Sequence, residues 1–400
     1  MNQKIVKTLG FSWLEIDLDA IKHNTQSIKE LIGKQVRIMG IVKGNGYGHD
    51  AIEVSRIILE NGVDQLGVAR IEEAIILRKN NIKAPILVLG AVLEEQIKLY
   101  LDYQIMATIG DIDSANKINK IAKKFNQKIK AHLKIDTGMG RLGIKPFEAK
   151  AFFSKLKKLH NIEIVGLFTH FSTADESNKD YTFYQFQLFK EVEDLFSSLN
   201  KPSAFCSHAA NSGAILDLPE TWLDMVRPGC ILYGLYPSVD IDKKINLIPA
   251  LTFKTRVFFI KKIKAGSFIG YGNTYQAKKD IIVATLPVGY ADGYSRLLSN
   301  SGQVLIRGKL ALIIGRVCMD QLMVDITNIN QVKIGDEVIL WGAQAPKKLK
   351  IAIEDIGEKL NTIGEEVLHY TDKARVAKLF IKEGRPWKVK NMFGEYYCEI

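Results

Sequence analysis

The feature that most constrains this 400-residue chain is a change in hydrophobic texture near residue 245. Before it, short apolar runs alternate with amphipathic stretches. Runs at 37–42, 65–69, 86–89, 107–109, 128–135, 162–168, 205–207 and 225–226 with 231–233 read as strands, and stretches at 51–61, 71–79, 94–100, 147–159 and 181–199 read as helices, with a Lys-rich helix ending at 125. Strand-then-helix alternation predicts parallel strands, because a parallel neighbour is reached only by crossing back over the sheet. About eight such units suggest an α/β fold, an N-terminal (β/α)8 barrel of the TIM type; an open doubly wound sheet is the alternative that the same alternation allows. After 245 the runs become β-branched or alternating and are broken by Gly and Asn turns at 270–273, 301–302 and 335–336, with one helical stretch at 353–360. The expected organisation is a barrel over 1–245 and a mainly β C-terminal domain over 246–400.

Composition limits the function classes. Hydrophobic residues make up 47% and charged residues 25%, an ordinary balance for a globular protein. The net charge of +11 raises the question of nucleic acid. The lysines are scattered through helical stretches, however, and the densest basic run, 373–390, carries no recognition motif. A diffuse positive surface that draws in anionic substrates and cofactor is the better reading, with no nucleic-acid partner. No stretch of about 18 apolar residues occurs, and the N-terminus has no apolar signal region, so neither a membrane span nor secretion is expected. Cys206, Cys230, Cys318 and Cys398 are far apart, without C-x-x-C or zinc spacing. Reduced thiols, no metal and a cytoplasmic location follow as expectations.

Five polar strings fall at ends of barrel strands, where such folds place reactive groups. In KGNGYGH (43–49) a lysine follows an apolar strand and three glycines follow it. Glycines there permit a sharp turn and close approach to a ligand, and Lys43 could form a Schiff base once desolvation or a neighbouring cation lowers its pKa. Taken alone, this string fits a surface lysine before a glycine turn better. In HLKIDTGMGRLG (132–143), His132, Lys134 and Asp136 share one face of a strand. A lysine and a carboxylate facing inward must be compensated, either as a structural ion-pair layer or beside an oxyanion gripped by Arg141. GLFTHFSTAD (166–175) puts His170 at a strand end. SHAANSGA (207–214) puts Asn211 and Ser212 before a small-residue helix start suited to phosphate. VRPGCILYG (226–234) adds Arg227, Gly229, Cys230 and Tyr233. In the β domain, IGYGNTY (269–275), PVGYADG (287–293) and GRVCMDQ (315–321) read as hairpin turns. Tyr271 stands out there, because its flanking glycines admit a ligand or a second chain.

Together these strings, in this order from about Trp13 to Leu379, resemble the alanine racemase family, fold-type III enzymes that use pyridoxal 5′-phosphate (PLP). The resemblance rests on Lys43 with Tyr47-Gly48-His49, on Lys134-x-Asp136-Thr137-Gly138-Met139-Gly140-Arg141, and on Tyr271, Tyr290 and Cys318-Met319-Asp320. It implies a PLP-dependent isomerase that interconverts L- and D-alanine and supplies D-alanine for cell-wall peptidoglycan. It also implies a head-to-tail homodimer in which each active site is completed by the partner's β domain. Lys43 then holds PLP and acts as a base on one face of the substrate Cα, with Tyr271 of the other subunit on the opposite face. Two bases on opposing faces are the minimum for removing a proton on one side and delivering it on the other. His170 and Arg227 form a chain toward that tyrosine, and Arg227 also faces the pyridine nitrogen and discourages its protonation. Arg141 contacts the phenolic oxygen, and Lys134 is carbamylated to orient it. Tyr47, Asn211, Ser212, Gly229, Cys230 and Tyr233 surround the phosphate, the Met319 amide lies near the substrate carboxylate, and Tyr290 and Asp320 support the site.

One position departs from the family. Where a tyrosine is common, this chain reads Thr362-Ile363-Gly364-Glu365-Glu366-Val367. A carboxylate beside a phosphate is repulsive unless a cation or proton intervenes. Glu365 therefore leaves open a racemase of broader range, acting on serine or lysine. A non-catalytic PLP-binding protein is the alternative from another class.

Overall fold

The structure, a computed structural model, describes residues 9–198, 205–343 and 350–398. The expected helix over 181–199 ends at Ser197, and its last residue lies outside the described residues, as do 1–8 of the N-terminus. The chain divides into two compact units, Ile21–Ile248 and Met1–Ala20 with Pro249–Ile400. The first strand, β1 (Trp13–Asp17), belongs to the second of these, and the helix Leu18–Ile32 carries the chain into the first.

The first unit is a closed barrel. Strands β2 (Arg37–Ile41), β3 (Gln65–Val68) and β4 (Ile86–Val88) pair in parallel, as do β5 (Ala107–Ile109), β6 (Ile129–Lys134), β7 (Ile162–Phe168) and β8 (Cys206–His208), while β9 (Met225–Val226) pairs with β2. Two seams join the runs. Leu87 bridges Met106 in parallel, and the amides of Asp224 and Arg227 donate to the carbonyls of Ser207 and Ala210. Closure excludes the open sheet, because no strand is left at an edge. Helices follow seven of these strands, from Ala51–Glu60 after β2 to Ser212–Asp217 after β8. Met39, Ile41, Leu87, Met106, Cys206 and Met225 pack into an apolar plug inside the barrel, each large side chain contributing roughly 1.5–3 kcal/mol by its burial. Polar groups enter the interior where glycine makes room: a Cβ on Gly166 of β7 would stand 2.3 Å from His132 Nδ1.

The second unit is β-rich, as expected. Its strands run from β10 (Leu251–Arg256) through β11 (Phe259–Ile263), β12 (Phe268–Ile269), β13 (Tyr275–Gln276), β14 (Ile281–Leu286), β15 (Gln303–Ile306), β16 (Lys309–Leu312) and β17 (Leu322–Asp325). They continue as β18 (Glu337–Ala343), β19 (Lys350–Ile351), β20 (Ala377–Lys382), β21 (Arg385–Asn391) and β22 (Gly394–Tyr397). The main sheet follows the order β16-β15-β18-β10-β1-β20-β21-β22. The N-terminal strand therefore differs from the expected grouping of 1–245. Both of its neighbours, antiparallel β10 and parallel β20, come from beyond residue 249, and only they satisfy its backbone. Trp13, Leu14 and Ile16 are buried in this sheet, and Lys254 pins it between Glu15 and Glu337 at 2.8 and 3.0 Å. Two helices, Ile353–Lys359 and Gly364–Tyr370, stand where one was expected. Among the described residues no helix is long and apolar enough to cross a membrane. The four cysteines are free thiols.

Candidate active site

Strand β2 delivers Lys43 to the C-terminal rim of the barrel. Beyond it, Gly44, Asn45, Gly46 and Tyr47 have φ of 60°, 52°, 63° and 52°. With Gly48 at 83° the left-handed run is five residues long, which is costly for L side chains, and the alternating glycines make the turn possible. Glu73 holds it, accepting from Gly44 N at 2.6 Å and from the amides of Ala69 and Arg70 at 2.8 and 3.1 Å. Asn45 Oδ1 accepts from Ala51 N at 3.0 Å. The turn folds Tyr47 back onto Tyr233, with ring centroids 4.8 Å apart.

Beside that stack lies a cradle of donors. Gly229 N donates to Ser212 Oγ at 2.9 Å. A Cβ at Gly229 would meet Tyr47 Oη at 2.7 Å, so only glycine lets backbone and phenol converge. Asn211 caps the short helix, its Oδ1 accepting from Ala214 N at 3.2 Å. Two hydroxyls and the first amides of a helix in one concavity match the needs of a phosphate. Tyr233 donates its own hydroxyl to Ile41 O at 2.9 Å, which leaves it as the wall of the cradle rather than a donor within it. Cys230 is buried in the turn that leads to Tyr233.

The interior below the rim is cationic. The buried Arg227 donates to His208 Nδ1, Thr169 O and Ala209 O, each at 2.8 Å, and approaches His170 Nδ1 at 3.3 Å. His208 Nε2 in turn lies 2.8 Å from His132 Nδ1. Because a guanidinium only donates, the tautomers are assigned by the network: Nδ1 accepts on His170 and His208, and His208 passes its Nε2 proton toward His132. Burial, reinforced by Arg227, holds His170 and His208 well below the usual imidazole range. Burial, with Arg37 and then Arg227, pushes His132 down to about 3. Burial and Arg141 lower Arg227 to about 9, which still leaves it charged at neutral pH.

Lys134, only 4% exposed, lies over the Phe168 ring at 5.1 Å from its centroid. Burial, Arg227 and Arg141 depress its ammonium well below the ordinary lysine value. The ion-pair layer of Lys134 with Asp136 does not form. Asp136 turns to the following loop, accepting from Gly138 N at 3.2 Å, Gly140 N at 2.9 Å and Lys145 Nζ at 2.6 Å. Burial would raise its carboxyl, but these donors outweigh it and hold the group below its ordinary value. Arg141 follows on this loop, exposed at the mouth.

In the β unit, Tyr271 sits at the tip of the β12–β13 hairpin and is 68% exposed. Gly270 and Gly272 adopt φ of 75° and 72°, and a Cβ on Gly270 would stand 3.1 Å from Arg316 N. The amides of Tyr290 and Ala291 bind the carbonyls of Cys318 and Met319 at 3.1 and 3.0 Å, so two of the sequence strings form one surface. Arg375 clamps that surface, reaching Asp292 at 2.9 Å and Asp320 at 2.8 Å.

Within the barrel, Lys43, Tyr47, Arg141, His170, Asn211, Ser212, Arg227, Gly229, Cys230 and Tyr233 all follow strand C-termini, and Lys134 ends β6. Lys43, Lys134, Arg141 and Arg227 all act electrostatically on His170. His208, Glu73 and Arg375 escaped the sequence reading. His208 lies inside a quoted string, and only the closed barrel reveals its neighbours. Glu73 gives a weak signal, an acidic residue in the first turn of a helix. Among the described residues no cluster of His, Cys, Asp and Glu could hold a metal.

A closed barrel with a strand-end lysine and an anion cradle, joined to a β-rich unit, defines a class of barrel enzymes that react at the strand C-termini. Family models narrow the class: "Alanine racemase, N-terminal domain" matches residues 16–237 and "Alanine racemase, C-terminal domain" matches residues 250–380. An alanine racemase of Halothermothrix orenii is 46% identical over 368 residues, covering 92% of this chain and 96% of that protein. A solved alanine racemase of Clostridium difficile 630 superposes with a TM-score of 0.90 at 39% identity, covering 95% of this chain and 98% of that one. A histidine racemase from Leuconostoc mesenteroides subsp. sake has a TM-score of 0.82 at 28% identity, with 93% and 98% covered. The chain belongs to the alanine racemase family, isomerases that act on amino acids.

The buried histidines carry a pH signature. With folded pKa values below those of the unfolded chain, His132 and His208 bind fewer protons when native. Their stability is complete above the unfolded value and is lost as pH falls below about 6.5, at up to roughly 1.4 kcal/mol per histidine per pH unit. Urea unfolding of wild type and His208→Asn between pH 7.5 and 5.5 checks this. The variant is expected to show the shallower acid loss, and identical slopes would contradict the assignment.

Proposed function

We propose that this chain interconverts L- and D-alanine, with PLP held by Lys43 and with Tyr271 of the partner subunit as the second base. The observation that carries the reading is the placement of Lys43 and the Tyr47–Ser212–Gly229 cradle on one barrel rim above the buried Arg227. The residues fit the cofactor: Gly229 leaves the space that a Cβ would fill against Tyr47 Oη, and the hydroxyls with the helix amides match a phosphate. Bound PLP supplies an electron-withdrawing ring that acidifies the substrate Cα–H. Arg227, already donating to two carbonyls and His208, stays charged at neutral pH and leaves a facing ring nitrogen unprotonated. Lys43 takes or returns the proton on one face. The exposure of Tyr271, Tyr290 and Met319 supports a homodimer in which this surface is covered by a second copy. His170, accepting on Nδ1, keeps its Nε2 proton for the phenol side. Arg141 and the Met319 amide serve the phenolic oxygen and the substrate carboxylate, with Tyr290 and Asp320 in support. Free thiols agree with a cytoplasmic enzyme supplying D-alanine for peptidoglycan.

Exchange of the alanine α-proton in heavy water tests the two bases. Wild type loaded with PLP is expected to exchange both enantiomers, and Lys43→Ala to lose exchange from both. Tyr271→Phe should lose roughly 10²–10⁴-fold from one enantiomer more than from the other. A loaded wild type that exchanges neither enantiomer would overturn catalysis and favour a protein that only binds PLP.

Lys134 is proposed to be carbamylated. A carbamate forms from a neutral amine, and burial and neighbouring cations hold Lys134 in that form. The modified group is an anion that accepts from Arg141. Enzyme equilibrated with ¹³C-bicarbonate should show one carbamate carbon resonance that Lys134→Gln lacks; a spectrum unchanged by that substitution would refute it.

Glu365 supports a second reading, a broader substrate range. It is half-buried in the first turn of the helix Gly364–Tyr370, where the helix dipole favours an anion. Comparable kcat/KM for serine and alanine, narrowing to alanine in Glu365→Tyr, is expected on this reading. Activity on alanine alone in the wild type would exclude it.

A further inference from the structure

The barrel has a second opening, at the N-terminal ends of its strands, opposite the rim that carries Lys43. A cavity of about 740 Å³ lies there. Arg37 opens β2, Gln65 opens β3 and Lys130 is the second residue of β6, and all three line the cavity. Lys83 and Lys128 add two more cations, and Glu163 is the acidic residue of the lining. Lys130 and Glu163 are register partners on β6 and β7, yet among the described residues no ion pair forms between them or on any of the four cations. Arg78 is different: its guanidinium is taken up by the carbonyls of Tyr103, Ile82, Ala84 and Gln104.

The uncharged polar lining is also rich in donors. The hydroxyl of Tyr100 and Gln65 Nε2, both shut off from solvent, have no hydrogen-bond partner among the described residues. His132, 2% exposed, lines the floor. Its Nδ1 accepts from His208, so its proton is on Nε2, which makes no hydrogen bond among the described residues. Solvated lysines at a barrel mouth are commonplace, and the bottom of such barrels usually serves stability. Unmet donors on buried side chains are not commonplace, because each forgoes the bonds it had in water. An unmet donor under excess positive charge favours an anion over a cation. Leu101, Ile105 and Val165 give the remaining wall an apolar character suited to a carbon skeleton.

We propose that this cavity binds a small organic polyanion, a polycarboxylate or a phosphorylated metabolite, gripped by Arg37 and Lys130 with His132 donating from its floor. The site is separate from the alanine-binding rim. Calorimetric titration of PLP-saturated enzyme with citrate and with fructose 1,6-bisphosphate, at ionic strength fixed by KCl and both without and with alanine at saturation, tests it. At least one probe is expected to bind once per chain, and citrate or bisphosphate alone would identify the carboxylate or phosphate class. Arg37→Gln and Lys130→Gln should each weaken binding about tenfold, with kcat/KM for alanine unchanged in Lys130→Gln. Lys130 is exposed, so its variant keeps the test valid should Arg37→Gln fold poorly. Binding of neither probe, or affinity unchanged in Lys130→Gln, overturns the proposal. Loss of all binding when alanine is added would place the probes at the alanine site instead.

Discussion

The buried guanidinium of Arg227 is the interaction on which the barrel's reactive end depends. It follows β9 and is bonded to the ends of both β7 and β8, through Thr169 O, His208 and Ala209 O. A charge so placed is tolerable only with its hydrogen bonds satisfied. Burial first, and then its charge, hold the three histidines around it neutral and lower the proton affinity of Lys134. Removing it would leave His208 and two strand-end carbonyls without their donor. One residue thus closes a seam of the barrel and helps to set the protonation of the site above it.

The second constraint is conformational. Lys43 is reached by an apolar strand and followed by a left-handed turn that only alternating glycines make affordable in L-amino acids. Glu73 completes it from a neighbouring strand–helix junction, accepting three amides. The same turn places Tyr47 against Tyr233 and next to Gly229. Lysine position and phosphate cradle are therefore one piece of backbone geometry. The β unit repeats the device, with Tyr271 lifted on a hairpin tip between two glycines of positive φ.

Much of this was legible in the sequence. Hydrophobic period, glycine spacing and the order of the polar strings are local properties, and they survive folding unchanged. They were enough for eight parallel strands, a β-rich second unit, Lys43 at a strand end and the family itself. The pairings were not legible. Asp136 stands two residues from Lys134 on the strand pattern, yet its carboxylate finds two loop amides and Lys145 closer to hand. Tyr233 reads as a residue around the phosphate, and only the fold shows that its hydroxyl goes to Ile41 O.

What the tertiary structure alone decided are the contacts set by closure and register. β1 joins a sheet whose other strands begin some 230 residues later, because that sheet offers ladder partners on both its edges. The chain from Arg227 through His208 to His132 exists because β6, β8 and β9 curve round one interior. The sequence by itself determined which groups each strand end would carry. Folding determined which of them would meet, because hydrogen bonds and buried charges are satisfied by neighbours in space, and barrel closure chooses those neighbours.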